Sequence, residues 1–178
     1  ELIIYVSENN HPEHKKYHLD LTGIYQTKNI LPVLSAVKIM TQKGFHISQE
    51  QIKKGLKNVK KLTGLHGRWE TIHHYPRIVL DVAHNPDGIK QLLEQIEITT
   101  YHRLHIVLGM VKDKDVDTVL TLLPKNAQYY FTNAFVPRAI SKEELREKAG
   151  KNGLLGNIYE NVNLALEGAK ARAHKDDL

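Results

Sequence analysis

The spacing of apolar positions changes character part-way along this chain. Residues 1–24 read as strand, loop, strand, with a polar, His-rich loop over 7–16. From 29 to 41 the spacing is helical, with Ile30, Val33, Leu34, Val37 and Met40 on one face. Pro32 is expected in that helix's first turn, where a missing N–H costs nothing. A second helix is announced by a Ser48/Gln51 capping box, with Ile47 and Ile52 stapled across it. Ile52, Leu56 and Val59 form its inner face, and Gly64 is a plausible stop. Gly64-Leu65-His66-Gly67 then breaks the pattern.

Beyond that break, strands and helices alternate. Strands are predicted over 69–74, 77–82, 104–108 and 128–132. A helix follows over 86–98, where Ile89, Leu92, Leu93 and Ile96 share a face. Asp113 is expected to cap the next helix, with Val116, Val119, Leu120 and Leu123 inward and Asp115 and Asp117 near its positive end. Residues 140–145 hold a further capping box and staple, and a last helix spans about 160–174. This rhythm predicts an α/β fold: a Rossmann-like, mostly parallel sheet flanked by helices, preceded by a partial α/β segment. The domain boundary falls near 64–67, giving residues 1–64 and 65–178. A parallel sheet closes its last crossover with a strand, yet this sequence ends on a helix and Lys175-Asp176-Asp177-Leu178. It also begins at Glu1 inside an apolar run. A fragment of a longer protein is therefore expected, lacking a final strand.

Composition narrows the chemistry. The 178 residues contain no cysteine, which removes disulfides, thiolate metal sites and Cys nucleophiles. No apolar run approaches the ~18 residues of a membrane-spanning helix, and no signal peptide is visible. A cytoplasmic protein is expected. The net charge of +5 suits either a solvated basic surface or an anionic ligand. Lys53, Lys54, Lys57, Lys60 and Lys61 share one predicted helix, but no aromatic platform accompanies them, so nucleic-acid binding is disfavoured.

The richest candidate chemistry is Asp81-Val82-Ala83-His84-Asn85-Pro86, directly after the apolar run Ile78-Val79-Leu80. In open α/β sheets ligands bind where strands end. Asn85 suits the N-cap and Pro86 the first helical position. Asp81 and His84 would then occupy a strand-to-helix turn, where ligand contact is favoured over a buried structural histidine. Arg68 in Gly67-Arg68-Trp69-Glu70 is either an ordinary surface residue or a phosphate contact, for which a guanidinium fork is well shaped. Lys114 follows the 104–108 strand near a helix start and could meet an anionic ligand; plain capping by Asp113 explains the same segment. No P-loop, G-x-G-x-x-G or G-x-S-x-G is present. His73 and His74 point to opposite faces of a strand, and His102 and His105 lack a carboxylate at a persuasive spacing, so no metal site is expected.

These residues resemble a known family. Asp81-x-Ala83-His84-Asn85-Pro86 resembles the D-G-A-H-N-P signature of folylpolyglutamate and dihydrofolate synthases, members of the Mur ligase superfamily. Gly23-Ile24-Tyr25-Gln26-Thr27-Lys28-Asn29 resembles their G-x-H-Q-x-x-N segment, Gly67-Arg68-x-Glu70 their G-R-x-E hinge, and Gly109 with Asp113-Lys114-Asp115 their G-x-x-x-D-K-D segment. Pro137-Arg138-Ala139 fits the same order. Tyr25 stands where the family has His, Val82 where it has Gly, and Ile30-Leu31-Pro32 where it has a small, Ala-rich helix start.

The resemblance implies that residues 1–64 end a central ATPase domain and that 65–178 form most of a C-terminal Rossmann-like domain. It implies an ATP- and Mg²⁺-dependent acid–amino-acid ligase, acting through an acyl phosphate on folate or dihydropteroate and L-glutamate. The two domains would close on ATP with Arg68 at the hinge. Asn29, Arg68, Asp81 and His84 are expected nucleotide contacts, with His84 and Lys114 nearest the chemistry. Asp113 and Lys114 are expected on the glutamate side. The parent is expected to be a monomer that binds neither nucleic acid nor membrane, and the fragment to be inactive by itself. The rival is a non-catalytic Rossmann-like module binding a nucleotide or a protein.

Overall fold

The computed structural model describes residues 1–7, 14–112 and 115–178. The chain divides into two compact units, Glu1–Glu70 and Thr71–Leu178.

In the first unit, β1 (Leu2–Ser7) pairs antiparallel with β2 (His14–Leu19), with Leu2 opposite Leu19 and Ser7 opposite His14. Alternation along β1 turns Leu2, Ile4 and Val6 inward and leaves Ile3 and Tyr5 exposed. Ile4, Tyr17, Leu19 and Ile30 form the core, with Leu34, Ile52 and Leu56 packed against it.

Helix α1 (Gln26–Gln42) begins three residues earlier than the apolar spacing suggested. Its first turn closes on loop carbonyls, Gln26 N–H onto Gly23 and Thr27 N–H onto Ile24. Pro32 therefore lies inside the helix rather than in its first turn. Its ring removes the donor that the Lys28 carbonyl would otherwise receive; Lys28 is exposed, so water can serve instead. The expected inner face is also shorter than its pattern. Ile30 is buried and Leu34 and Val37 half-buried, but Val33 and Met40 are exposed.

Helix α2 (Gln49–Lys57) has the full capping box: Ser48 Oγ accepts from Gln51 N–H, and Gln51 Oε1 accepts from Ser48 N–H. The run predicted as one helix breaks at Asn58, and α3 (Val59–Thr63) stops at Gly64, whose φ of 68° suits glycine. The Asp20 carboxylate at the end of β2 accepts from the Lys60 N–H at 2.9 Å and so serves the start of α3.

Starting at the last residue of the first unit, β3 (Glu70–His74) pairs with β4 (Arg77–Leu80) in a two-stranded sheet around a cis Tyr75–Pro76 turn. After α4 (Pro86–Glu97), a parallel three-stranded sheet takes the order β5 (His105–Leu108), β6 (Gln128–Phe131), β7 (Gly156–Ile158). The crossovers carry α5 (Val116–Leu122) and α6 (Lys142–Lys151); α7 (Val162–Arg172) follows β7. This is the parallel α/β sheet flanked by helices that the alternation predicted, with β4 outside the three-stranded ladder.

Residues of β6 alternate between two buried faces. Tyr130 packs with Ala165 and Ala169 of α7, while Tyr129 and Phe131 point the other way with their rings stacked at 5.6 Å. β7 has no apolar rhythm and was missed in the sequence. Its Gly156 is required by close approach: a Cβ there would sit 2.2 Å from the Tyr129 carbonyl oxygen. Asp115, not Asp113, caps α5, accepting from Thr118 N–H at 3.2 Å. Ser141 caps α6 through Glu144 N–H.

The end of the chain does not simply trail from α7. Leu178 N–H donates to the Arg103 carbonyl and His105 N–H to the Leu178 carbonyl, the pattern of a parallel bridge beside β5. On the other side Arg77 N–H donates to the Asp177 carbonyl. The Asp177 side chain is buried; it accepts from His174 N–H at 2.8 Å and Arg103 N–H at 3.0 Å, and lies 3.2 Å from His105 Nε2. His105 Nδ1 is 3.0 Å from the Tyr130 hydroxyl. His105 thus has the carboxylate partner that local spacing failed to supply, 72 residues away. Burial pulls the Asp177 carboxyl upward, but the bonds from His174, His105 and Arg103 outweigh it and hold it below the ordinary carboxylate range. No helix among the described residues is long and apolar enough to cross a membrane.

Candidate functional site

Local bonds shape the strand-to-helix turn after β4. Asp81 Oδ1 accepts from the Ala83 N–H at 2.9 Å, an Asx turn that reverses the chain as the strand ends. Asn85 is the N-cap of α4, its Oδ1 accepting from Gly88 N–H at 2.8 Å, with Pro86 as the first helical residue. A Cβ at Gly88 would lie 3.1 Å from that Oδ1, so the cap and the glycine fit together. His84 is exposed, and its Nδ1 lies 3.0 Å from the Val82 carbonyl. A carbonyl only accepts, so this bond places a hydrogen on Nδ1 and leaves Nε2 available to a ligand. The turn therefore offers a half-buried carboxylate and an exposed imidazole beside a helix N-terminus.

The turn that carries Arg68 is held differently. Thr22 Oγ1 donates to the Trp69 carbonyl at 2.7 Å, which joins the segment leading into α1 to the Gly67–Glu70 segment. Asn29, exposed in the first turn of α1, donates from Nδ2 to Gln26 Oε1 at 3.1 Å. Gly67 has φ 74° and Trp69 φ 51°. The half-buried Arg68 donates to the Gly67 carbonyl at 3.3 Å and meets no carboxylate among the described residues of its unit. Such a guanidinium is open to an anion. Glu70 accepts from Gly67 N–H at 3.1 Å and sits beside His66 and Lys60. The Gly67 N–H and the His66 and Lys60 contacts hold its carboxyl below the usual range, against the upward pull of burial. Thr22 was not singled out in the sequence, and Glu70 entered only as the last residue of the Gly67-Arg68-x-Glu70 motif with no role given, because their bonds to this turn depend on the fold.

Asp113 and Lys114, expected on the glutamate side and near the chemistry, lie outside the described residues. Their neighbours are placed. Lys112 N–H donates to the Arg138 carbonyl at 2.9 Å, and Val111 bridges Ala139, so the segment after β5 lies against Pro137-Arg138-Ala139. Gly109 instead lies close to the chain just after β6, where a Cβ would sit 3.1 Å from both Thr132 O and Ala134 N. A cavity of about 720 Å³ opens beyond the ends of β6 and β7, lined by Asn133, Phe135, Pro137, Glu160 and Asn161 among others. Its position is that of ligand sites in open α/β sheets. No group of three or more His, Asp or Glu able to hold a metal occurs among the described residues.

Comparison with known proteins supplies the family. Residues 67–178 match the model of the Mur ligase, glutamate ligase domain. This chain belongs to the Mur ligase family. The dihydrofolate synthase/folylpolyglutamate synthase of Buchnera aphidicola subsp. Schizaphis graminum is 34% identical to this Mur ligase chain over 137 residues, covering 76% of the chain and 31% of that protein. Among solved structures, Mycobacterium tuberculosis folylpolyglutamate synthase complexed with ADP and AMPPCP aligns with a TM-score of 0.76 at 27% identity, covering 88% of this chain and 36% of that one. Escherichia coli FolC in complex with DHPP and ADP aligns at 0.66 and 28%, covering 80% and 33%. The chain thus spans about a third of the length of these relatives. The α/β fold expected from the residue pattern is the fold of these neighbours.

Proposed function

We propose that this chain is the C-terminal part of an ATP-dependent amide ligase that adds L-glutamate to a folate or to dihydropteroate. The observation that carries the reading is the Asp81–His84 turn, which presents a carboxylate and an imidazole at a helix start in a glutamate ligase domain. The relatives' names supply the folate acceptor and glutamate. In the proposed reaction the γ-phosphoryl group of ATP passes to the acceptor carboxylate, giving an acyl phosphate and ADP. The free α-amine of glutamate attacks the acyl carbon, phosphate leaves, and the new amide nitrogen gives up its proton.

Asn29, Arg68 and Asp81 are assigned to the nucleotide. His84 is assigned to the nucleotide or the reacting phosphate, through the Nε2 that its Val82 bond leaves available. Asp113 and Lys114 are assigned to the glutamate side. Mg²⁺ bound with ATP would neutralise phosphate charge; its ligands are assigned to the preceding part of the ligase, as is the phosphate cradle, because no P-loop sequence occurs in this chain. Positioning by that missing part is worth several kcal/mol in such reactions, so the chain by itself is expected to be inactive.

The test is ATP-dependent incorporation of labelled glutamate by the full-length ligase, with dihydropteroate and tetrahydrofolate offered separately, beside Asp81→Ala. Incorporation that the substitution lowers by about a hundredfold, roughly 2.7 kcal/mol of barrier, supports the reading and identifies the acceptor. A folded, ATP-binding protein that incorporates glutamate into neither would refute the folate assignment and favour a binding module.

A further inference from the structure

Two positions after Arg68 stands Glu70. The Glu70 side chain is only 13% exposed. Its Oε2 accepts from the Gly67 N–H at 3.1 Å, both its oxygens lie within 3.1 Å of His66 Nδ1, and Lys60 Nζ is 3.5 Å away. A carboxylate so near in sequence is the obvious partner for the Arg68 guanidinium, yet three other donors occupy it. Between the two residues Trp69 is buried with φ 51°, a conformation that a bulky side chain adopts only when its surroundings hold it. Two polar tethers do so: Glu70 on the Gly67 N–H, and Thr22 Oγ1 on the Trp69 carbonyl at 2.7 Å. Arg68 sits between these anchored peptides with one weak bond, 3.3 Å to its neighbour's carbonyl.

We propose that Glu70 is a positioning residue: its carboxylate fixes the Gly67–Trp69 turn while pairing with His66 and Lys60, which leaves the Arg68 fork free for the phosphate oxygens of a nucleotide. The role rests on the assignment of Arg68 to the nucleotide, and the two can fail separately.

The experiment is ADP binding to the full-length ligase, measured by titration calorimetry. Arg68→Ala is expected to weaken binding about tenfold or more, the scale of a lost charge-assisted pair. Glu70→Ala is expected to weaken it about fivefold, and the double variant to bind no more weakly than Arg68→Ala, the signature of one residue acting through another. Glu70→Gln keeps an acceptor for the Gly67 N–H and is expected within about twofold of the wild type. If Glu70→Ala does not fold, Thr22→Val releases the other tether and carries the same expectation, including the lack of any further loss on top of Arg68→Ala. Losses that multiply in the double variant, wild-type binding by Glu70→Ala, or a Glu70→Gln as weak as Glu70→Ala would each overturn the positioning role alone. Unchanged binding by Arg68→Ala would overturn the nucleotide contact, and this role with it.

Discussion

The turn after β4 and the Gly67–Glu70 turn solve one problem in opposite ways. Both hold a ligand-type side chain where regular structure stops. The turn after β4 uses local bonds, Asp81 on Ala83 and Asn85 on Gly88, two and three residues apart. The Gly67–Glu70 turn adds, to the local bond of Glu70 on the Gly67 N–H, ties to residues far away in sequence, Thr22 at 47 residues from Trp69 and Lys60 at ten from Glu70. A turn shaped by such local bonds is less exposed to changes elsewhere. A turn held from outside fails when a distant tether is cut, and it can carry a strained residue such as Trp69.

The largest test of that contrast is truncation at the apolar position of each turn. Trp69→Ala removes a side chain that is 8% exposed and is expected to cost about 3 kcal/mol or more. Val82→Ala, at a position 46% exposed, is expected to stay within about 0.5 kcal/mol. Urea midpoints from far-UV circular dichroism measure both, since Trp69 is the sole tryptophan and fluorescence is lost with it. A Val82→Ala midpoint that falls as far as that of Trp69→Ala would end the distinction.

The same contrast explains what could be read from the sequence. Asn85-Pro86, Ser48/Gln51 and Gly64 were legible because caps and stops act over three or four residues. The parallel sheet was legible because strand and helix periods alternate. The start of α1 was not, because its first turn closes on carbonyls of Gly23 and Ile24 rather than on a capping side chain. β7 was not, because a three-residue strand selected by Gly156's contact with Tyr129 has no period. The His105–Asp177 pair and the Glu70 contacts were invisible for one reason: the partners meet only after the sheet or the α2–α3 region has formed. Of the site, Asp81, His84 and Asn85 could be placed in a turn from local signals alone; for Arg68 the sequence supplied the residue and the fold supplied what holds it.

Cutting one hydrogen bond in each turn gives a smaller and more selective effect. Thr22→Val leaves the Trp69 carbonyl without its donor and is expected to cost about 1–2 kcal/mol. Asn85→Ala removes the α4 cap and is expected to cost about 1 kcal/mol. The sizes are similar, but the places differ. Amide exchange should quicken around Trp69 in the first variant, a position distant in sequence from the change. In the second it should quicken only in the first turn of α4. Equal spreading in both would show that the turn after β4 also depends on outside support.

The smallest effect is a pH dependence that separates the turns by charge. The Gly67 N–H, His66 and Lys60 hold the Glu70 carboxyl below its ordinary value of 4.5 in the folded chain. A depressed folded value means that the unfolded chain binds the proton more tightly, so Glu70 contributes stability above about pH 4.5 and loses it as the pH falls through the folded value. Trp69 fluorescence should therefore report a decline in the first unit's stability that begins near pH 4.5 on acidification. Glu70→Gln removes the ionisable group, and the decline should be shallower in that variant. Asp177 imposes the same sign on the second unit from a lower starting value of 3.8, and Asp177→Asn should flatten amide-exchange protection of the residues beside β5 in the same direction. If the acid decline followed by Trp69 is unchanged in Glu70→Gln, the carboxylate's hold on the Gly67–Trp69 turn is not electrostatic, and the contrast between the turns reduces to burial of Trp69.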